Sequence, residues 1–154
     1  MQAQPLLTIA IPTYNRASYL RRTLAQLQSE VVNCELDNVE ILVSDNASSD
    51  NTAQVVEEFQ TLGFGIRYLL NQSNIGPDAN IAECFGAAKG NYVVLLGDDD
   101  LFCDGSLKWL MAVLESRQYG VVCMRAYGFD NNFREEHPGV FGSDKAYDLS
   151  LIHI

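Results

Sequence analysis

Short apolar runs alternate with amphipathic segments through most of this 154-residue chain. The runs are rich in Val, Ile and Leu and end at Pro, Gly or polar clusters, a pattern typical of buried strands. They lie at residues 6–11, 39–43, 66–70, 92–96 and 120–127. The segments between them carry apolar residues at helical spacing. Strands that alternate with helices predict an α/β fold of three layers, α/β/α, around a mostly parallel, doubly wound sheet.

The helix between the third and fourth apolar runs has a specific expected orientation. Its apolar residues at helical spacing are Ile81, Phe85 and Ala88, so this face is predicted to be the buried one. The helix is predicted to end at Lys89 and Gly90, with the glycine in the C-cap position.

Composition indicates a globular domain and limits the classes of partner. Hydrophobic residues make up 47% of the chain and charged residues 19%, so a folded core is expected rather than disorder. The formal net charge is -10, which argues against nucleic acid as a partner because such binding needs clustered Lys and Arg. A small phosphorylated ligand stays compatible with this charge, because a divalent cation can supply the missing positive charge.

The compartment is inferred from apolar segments and from cysteine usage. No apolar stretch approaches the roughly 20 residues that a membrane-spanning helix needs. The N-terminal sequence lacks a basic start followed by an apolar core and a cleavage site. The four cysteines show no metal-ligand spacing and are predicted to be reduced core residues of a cytoplasmic protein. They are Cys34, Cys84, Cys103 and Cys123.

Polar residues follow the first four predicted strands at the point where each strand ends. In parallel α/β sheets, ligands bind at the carboxyl ends of the strands, so these residues are expected at one rim. The four groups are Thr13, Tyr14 and Asn15, then Ser44, Asp45 and Asn46, then residues 71–76, and finally residues 98–100. This convergence is the strongest functional signal that the residue pattern contains.

The segment YVVLLGDDDLF, residues 92–102, places three consecutive aspartates directly after an apolar strand. Carboxylates at such a position suit a hard divalent cation such as Mg²⁺ or Mn²⁺, and a solvated turn is an equally open interpretation. On an extended backbone Asp98 and Asp100 would point to one side and Asp99 to the other, unless the chain turns at Gly97. A cation held there would allow an acidic protein to bind a diphosphate.

Two other residues at the predicted rim have two interpretations each. Asp45 could accept hydrogen bonds from a ribose hydroxyl or a base N–H, or it could cap the turn that follows its strand. Tyr14 could stack beneath a nucleobase, or it could cover the edge of the sheet. The residue pattern leaves both pairs of alternatives open.

Three stretches taken together resemble the nucleotide-binding half of GT-A fold, family 2 glycosyltransferases. They are LTIAIPTYNRASYLRRTLAQL, VEILVSDNASSDNT and NQSNIGPDANIAECFGAAKGNYVVLLGDDD. The resemblance implies one domain over 1–154, with a nucleotide-sugar-binding part at 6–115 and the start of an incomplete acceptor part at 116–154. It therefore implies a chain cut short of its acceptor half.

The resemblance also implies which residues contact the donor. The nucleotide-sugar-binding residues would be Pro12, Thr13, Tyr14, Asn15, Asp45, Asn46, Asn74, Gly76, Asn80, Asp98 and Asp99. The three aspartates resemble the DxD region that binds Mn²⁺ or Mg²⁺ together with the diphosphate. Gly97 stands where many family members carry an acid, so Asp100 is the first expected metal ligand and Asp98 the second. Asp50 resembles the acid that opens the following helix, a structural role.

The implied reaction transfers a sugar from a nucleotide-diphosphate donor to a hydroxyl of a glycan or lipid-linked acceptor, with inversion at the anomeric carbon. A cytoplasmic location, or a peripheral one at the membrane, fits such an acceptor. The reaction needs a general base within reach of that hydroxyl. In the family this base lies well downstream, so it is expected beyond this chain. Acids that follow the cluster without a recognisable acceptor motif are Asp130, Glu135, Glu136, Asp144 and Asp148.

The same residues bear on three other functions. A nucleotide-binding fragment without turnover is the alternative, because the acceptor half and the base would be missing. A phosphoryl-accepting receiver domain would need carboxylates after the first strand, where Thr13, Tyr14 and Asn15 stand. A nucleotidyltransferase would favour a Gly-rich basic loop at that place. An incomplete sheet would also expose an edge, which predicts self-association.

Overall fold

The computed structural model describes residues 4–124 and three short strands further along the chain. The chain forms two compact units, Met1–Glu115 and Ser116–Ile154. In the second unit, β5 (Val121–Val122) pairs with β8 (Leu151–Ile152), and β6 (Gly128–Phe129) pairs with β7 (Glu136–His137). The strand predicted at 120–127 is therefore only two residues long within the described part. That one unit binds a donor and the other belongs to an acceptor part stays a prediction.

The first unit alternates strands and helices around a four-stranded parallel sheet. Its elements are β1 (Leu7–Thr13), α1 (Ala17–Asn33), β2 (Val39–Asp45), α2 (Thr52–Thr61), β3 (Ile66–Leu70), α3 (Pro77–Ala87), β4 (Tyr92–Leu95) and α4 (Ser106–Glu115). The strand order is β3-β2-β1-β4, with every neighbouring pair parallel. The predicted parallel, doubly wound sheet is confirmed. Since β4 returns to the far side of β1, the winding direction reverses between these two strands.

The core lies where apolar strand residues meet the apolar faces of the helices. Successive side chains of a strand point to opposite faces, so a strand buried on both sides reads as a continuous apolar run. Ile9, Ala10 and Ile11 of β1 are all fully buried. Ala10 packs with Leu42 of β2 and with Cys84 of α3, which places α3 on that face of the sheet. No helix in the described part of the chain is long and apolar enough to cross a membrane.

Helix α3 buries a different face from the predicted one. Asn80 and Cys84 are buried, whereas Phe85 is 53% exposed and Ala88 is the residue after the last helical turn. Asn80 can be buried because its amide forms hydrogen bonds with Ser44 at the end of β2. The spacing of apolar residues does not reveal a polar residue that is buried because it forms hydrogen bonds with a distant residue. The predicted buried face of α3 was therefore wrong.

Gly90 has a different structural reason from the predicted one. Helix α3 ends at Ala87, so Gly90 is not its C-cap residue. It lies against β1 instead, where a Cβ on Gly90 would be 2.5 Å from the backbone nitrogen of Thr8. The Gly90 amide donates a 2.8 Å hydrogen bond to Thr8 Oγ1, which in turn donates to Glu40 Oε2 at 2.6 Å. The close approach of two backbones therefore requires glycine at this position.

Glu40 completes this contact at the amino end of the sheet. Its carboxylate accepts hydrogen bonds from the Thr8 hydroxyl, the Lys89 amide and the Arg67 guanidinium. Burial opposes the ionisation of Glu40, but these three donors and the charge of Arg67 together lower its pKa below the ordinary value. The loop before β4 is thus joined to β1, β2 and β3 by one ionised and fully bonded side chain.

Replacing Gly90 with Ala is expected to lower the free energy of unfolding by about 1–3 kcal/mol, the usual cost of forcing extra atoms into a packed site. The change is measured by denaturant unfolding followed by circular dichroism. Gly86→Ala is the control, because Gly86 is exposed in α3 and a Cβ there meets nothing within 4 Å. That control should be neutral or stabilising, since Ala favours a helix. Equal stability of the two variants would contradict the proposed close contact.

The prediction that the cysteines are core residues holds only in part. All four are free thiols in the structure, and Cys84 is buried in α3. Cys34 is half-buried, while Cys103 and Cys123 are exposed. The apolar neighbours of Cys103 in sequence misled the interpretation, because the segment between β4 and α4 has no regular structure in which they could share a buried face.

Candidate functional site

A cavity of about 380 Å³ opens at the carboxyl ends of β1 and β4, where the winding of the sheet reverses. This is the place where doubly wound sheets bind ligands. Its lining consists of Pro12, Thr13, Tyr14, Arg16, Asn46, Asn74, Pro77, Asn80, Ile81, Gly97, Asp98 and Asp99. Most residues predicted to bind a nucleotide sugar therefore lie together. Asn15, Asp45, Gly76 and Asp100 are outside this lining, whereas Arg16 is a lining residue that was not predicted.

The three aspartates lie on a reverse turn over residues 97–100, called here the acidic turn. The Asp100 amide donates a 3.1 Å hydrogen bond to the Gly97 carbonyl, so the backbone is not extended. As a result Asp98 and Asp99 line the cavity, whereas Asp100 is exposed and its Oδ2 accepts a 3.2 Å bond from the Gly97 amide. A Cβ at position 97 would be 2.6 Å from that Oδ2, so a larger residue there would require the exposed Asp100 side chain to shift. The geometry favours Asp98 and Asp99 as cation ligands; the role of Asp100 stays a prediction.

Asp98 is the buried member of the acidic turn, with 5% of its surface exposed. Its Oδ2 accepts a 2.8 Å hydrogen bond from Thr13 Oγ1, and its Oδ1 lies 3.3 Å from Arg16 Nη1. Burial raises the pKa of Asp98, and although Thr13 and Arg16 lower it, the negative charges of Asp99 and Asp100 raise it further. The charged form is thus disfavoured here, and a bound cation would favour it.

Arg16 contributes the one positive charge among the described residues that line the cavity. Its Nη2 lies 2.5 Å from Asp99 Oδ2, and its guanidinium carbon is 4.6 Å from the centre of the Tyr19 ring. The residue is the N-cap of α1, and only Tyr14 and Asn15 separate it from the end of β1. The available sequence signal was its place at the exit of a strand, in the same segment as Tyr14 and Asn15.

The loop that carries Arg16 is held by residues after β2. Asn15 has a positive φ of 53°, which Asn tolerates better than most residues. Its Oδ1 accepts a 2.7 Å hydrogen bond from the Ser49 backbone amide, and the Asn15 backbone amide donates to Ser48 Oγ at 2.8 Å. Asp50 Oδ2 accepts a 2.9 Å bond from the Ala17 amide at the start of α1. Asn15 and Asp50 therefore position the loops; a direct contact of Asn15 with a ligand stays a prediction.

Asp45 is 1% exposed and both of its carboxylate oxygens have partners. Oδ1 accepts a 2.8 Å bond from the Ser48 amide, and Oδ2 accepts a 2.5 Å bond from the Tyr68 hydroxyl. Burial and this bond to Asp45 raise the pKa of Tyr68 above its usual value. These contacts agree with the interpretation of Asp45 as the residue that caps the turn after β2. Its proposed contact with a base or ribose stays a prediction.

Side-chain amides form the opposite wall of the cavity. Asn46 Nδ2 donates a 2.9 Å bond to Asn74 Oδ1, and Asn46 Oδ1 accepts a 2.9 Å bond from the Ile75 amide. Asn74 Oδ1 also accepts the Gly76 amide at 2.9 Å. Gly76 has a φ of 88°, a value that favours glycine, and it directs the chain into Pro77, the first residue of α3. Gly76 therefore sets the course of the backbone at this wall, although it does not itself line the cavity.

The donor atoms at the cavity suit a hard divalent cation. Within the described residues no group of three or more His, Cys, Asp or Glu side chains converges in a geometry that could hold a metal ion. Mg²⁺ is commonly bound by only one or two carboxylates, with phosphate oxygens and water as the other ligands. Asp98 and Asp99 supply two such carboxylates at the cavity. The residues therefore fit a cation that is shared with a phosphorylated ligand, rather than one enclosed by protein.

The parallel sheet and the acidic turn at the reversal of its winding agree with the GT-A fold that the sequence resembles. Residues 8–150 match the family model described as glycosyl transferase family 2, and the chain belongs to that family. The mannosyltransferase of Pyrobaculum calidifontis, solved with GDP-Man and Mn²⁺, has a similar structure with a TM-score of 0.66. That likeness, at 22% identity, covers 81% of this chain and 37% of the mannosyltransferase, and it supports the fold.

Two curated relatives are bacterial sugar transferases. The abequosyltransferase of Salmonella typhimurium is 36% identical over 121 residues, which are 78% of this chain and 36% of that protein. The GalNAc(5)-diNAcBac-PP-undecaprenol β-1,3-glucosyltransferase of Campylobacter jejuni is 36% identical over 108 residues, which are 70% of this chain and 34% of that protein. The chain thus spans about a third of the length of these relatives.

Proposed function

We propose that this chain is the donor-binding part of a glycosyltransferase that moves a sugar from a nucleotide-diphosphate donor to an acceptor hydroxyl. The observation that carries the proposal is the cavity between the ends of β1 and β4, with Asp98 and Asp99 on one side and side-chain amides on the other. Family membership supports the reaction class. The lining of the cavity supports the choice of residues that would meet the donor.

The diphosphate would lie beside the acidic turn. Asp98 and Asp99 would hold Mn²⁺ or Mg²⁺, which would neutralise the diphosphate and make it a better leaving group. Tyr14 lines the cavity and is exposed enough to stack on a planar base. Asn46, Asn74 and Asn80 would contact the ligand through Nδ2 as donors, because each Oδ1 already accepts two hydrogen bonds within the chain.

The names of the relatives support the same class of substrates. The Pyrobaculum mannosyltransferase was solved with a nucleotide sugar and Mn²⁺, which supports a divalent cation as the cofactor here. The name of the Campylobacter relative contains a PP-undecaprenol group, which supports a lipid-linked acceptor and a peripheral position at the membrane. Inversion at the anomeric carbon is part of this proposal.

The general base is proposed to lie outside the described part of the chain. Of the five downstream acids considered above, Glu136 lies in β7. The other four lie outside the described residues: Asp130, Glu135, Asp144 and Asp148. Among the described residues that line the cavity, the acids are the two assigned to the cation, so the base is proposed to come from outside this lining.

The test is a calorimetric titration of the chain with UDP, GDP, CDP and ADP, each with Mn²⁺ and with EDTA. We expect one nucleotide to bind in Mn²⁺ and to lose most of its affinity in EDTA, because the cation links two carboxylates to the diphosphate. Binding of none of the four would contradict the proposal. Incubation with the matching nucleotide sugar then separates the enzyme from the binding fragment: release of nucleoside diphosphate supports turnover, and binding without release supports the fragment.

A further inference from the structure

Arg16 holds a position between the two carboxylates that face the cavity. Its Nη1 lies 3.3 Å from Asp98 Oδ1, and its Nη2 lies 2.5 Å from Asp99 Oδ2. One guanidinium thus bridges both residues that the proposed function assigns to a divalent cation. The chain has a formal net charge of -10, and Arg16 is the one basic residue in the described lining of the cavity. Its positive charge therefore offsets part of the negative charge of the acidic turn.

We propose that Arg16 is an internal counter-cation of the acidic turn, which competes with the divalent cation for Asp98 and Asp99 and contacts the diphosphate once that cation is bound. The inference rests on the proposed function and adds a role for a residue that the sequence did not assign. Arg16 is a positioning residue towards the two carboxylates and a binding residue towards the diphosphate.

Arg16 balances negative charge at the acidic turn. Asp98 is almost fully buried, and Asp99 follows it directly in the chain, so two negative charges are held close together. Removal of the partner from a buried charge leaves that charge uncompensated and is strongly unfavourable. Arg16 prevents this while no divalent cation is present. A divalent cation at the same carboxylates would be repelled by the guanidinium beside it, so the two cations oppose each other.

The position and the N–H donors of Arg16 also suit a phosphate group. The side chain is 41% exposed, starts at the N-cap of α1 and lies against the ring of Tyr19. A guanidinium has five N–H donors in a planar fork that matches phosphate oxygens as well as carboxylates. Rotation of a partly exposed side chain at the cavity can therefore exchange the carboxylates for a phosphate without a change of the backbone. The positive end of the α1 dipole also favours an anion near this position.

A purely structural ion pair makes the opposite prediction for metal binding. If Arg16 only stabilised the acidic turn, its removal would disorder the carboxylates and weaken the binding of a divalent cation. If Arg16 competes with the cation, its removal strengthens that binding while it weakens the binding of a diphosphate. The sign of the change in Mn²⁺ affinity separates the two roles.

The experiment compares Arg16→Gln with Arg21→Gln in the full chain. Arg21 lies on the same helix and pairs with Glu58 outside the cavity, so the control makes the same change in net charge and also removes an ion pair. Free Mn²⁺ is measured by electron paramagnetic resonance at low salt without nucleotide. Arg16→Gln is expected to bind Mn²⁺ about 5-fold more tightly than the natural chain, an effect that shrinks as salt screens the charge.

The same two variants are then titrated with the nucleoside diphosphate at saturating Mn²⁺. Arg16→Gln is expected to lose about 10-fold in affinity, the scale of one charge-assisted bond to phosphate, and Arg16→Lys to lose less. Arg21→Gln should match the natural chain in both measurements. Weaker or unchanged Mn²⁺ binding by Arg16→Gln would overturn the inference and leave the proposed function intact. Failure of the natural chain to bind any of the four nucleoside diphosphates at saturating Mn²⁺ would overturn both.

Discussion

Asp99→Asn is expected to lower the Mn²⁺-dependent affinity for a nucleoside diphosphate about 100-fold, because even partners of metal ligands typically contribute 10- to 100-fold. Asp99 lines the cavity, and its side chain is 43% exposed, so the change removes a ligand without leaving a buried group unpaired. Asp100→Asn is the matched control. It makes the same charge change one residue away, on a side chain outside the cavity, and should leave the affinity nearly unchanged.

Isothermal calorimetry with Mn²⁺ and with EDTA measures both variants, and thermal melts check that each remains folded. Asp98→Asn is less informative, because the Asp98 carboxylate also accepts the hydrogen bond from Thr13. A large loss in Asp100→Asn with little change in Asp99→Asn would contradict the geometry of the acidic turn. It would support instead the expectation from sequence that Asp100 is the first metal ligand.

Asn80→Ala is expected to lower the free energy of unfolding by about 3 kcal/mol, because each buried polar group left without a partner costs about 1–3 kcal/mol. Asn80 is buried between α3 and β2. Its Oδ1 accepts hydrogen bonds from the Ser44 hydroxyl at 2.7 Å and from the Asn71 side-chain amide, Nδ2, at 3.1 Å. Its Nδ2 donates to the Ser44 carbonyl at 3.0 Å. Loss of the side chain leaves these partners inside the structure.

Urea unfolding followed by circular dichroism measures the loss. Asn33→Ala is the control, because Asn33 is exposed in the last turn of α1 and bonds only to Ser29 among the contacts described for it. A surface change of this kind is expected to stay within about 0.5 kcal/mol. If Asn80→Ala were no less stable than Asn33→Ala, the amide of Asn80 would not be the structural link between α3 and β2.

The parallel sheet could be predicted from sequence because its strands are continuous apolar runs. The run at 39–43 became β2, which extends to Asp45, and the run at 66–70 became β3 without change. Polar residues at the strand exits were placed correctly as a group, since parallel strands end at one edge. These features depend on local composition and on the direction of the chain, which a sequence shows directly.

The orientation of individual side chains at the site could not be predicted in the same way. Asp100 lies outside the cavity because the chain turns over residues 97–100, and Asp45 points inward because Tyr68 and Ser48 bind its oxygens. Arg16 meets Asp99 across 83 positions of the chain. Such contacts depend on which distant groups the fold brings together, and the spacing of hydrophobic residues does not reveal them.

The hydrogen bond from Thr13 to Asp98 joins two strand ends that are 85 positions apart. During synthesis the first strand, its helix and the next two strands leave the ribosome before the fourth strand can be inserted beside the first. A nascent chain therefore has no completed site at the acidic turn, and it is not expected to capture a metal ion or nucleotide there until β4 has paired with β1. Ligand present in the cell would stabilise only the finished sheet and not its precursors.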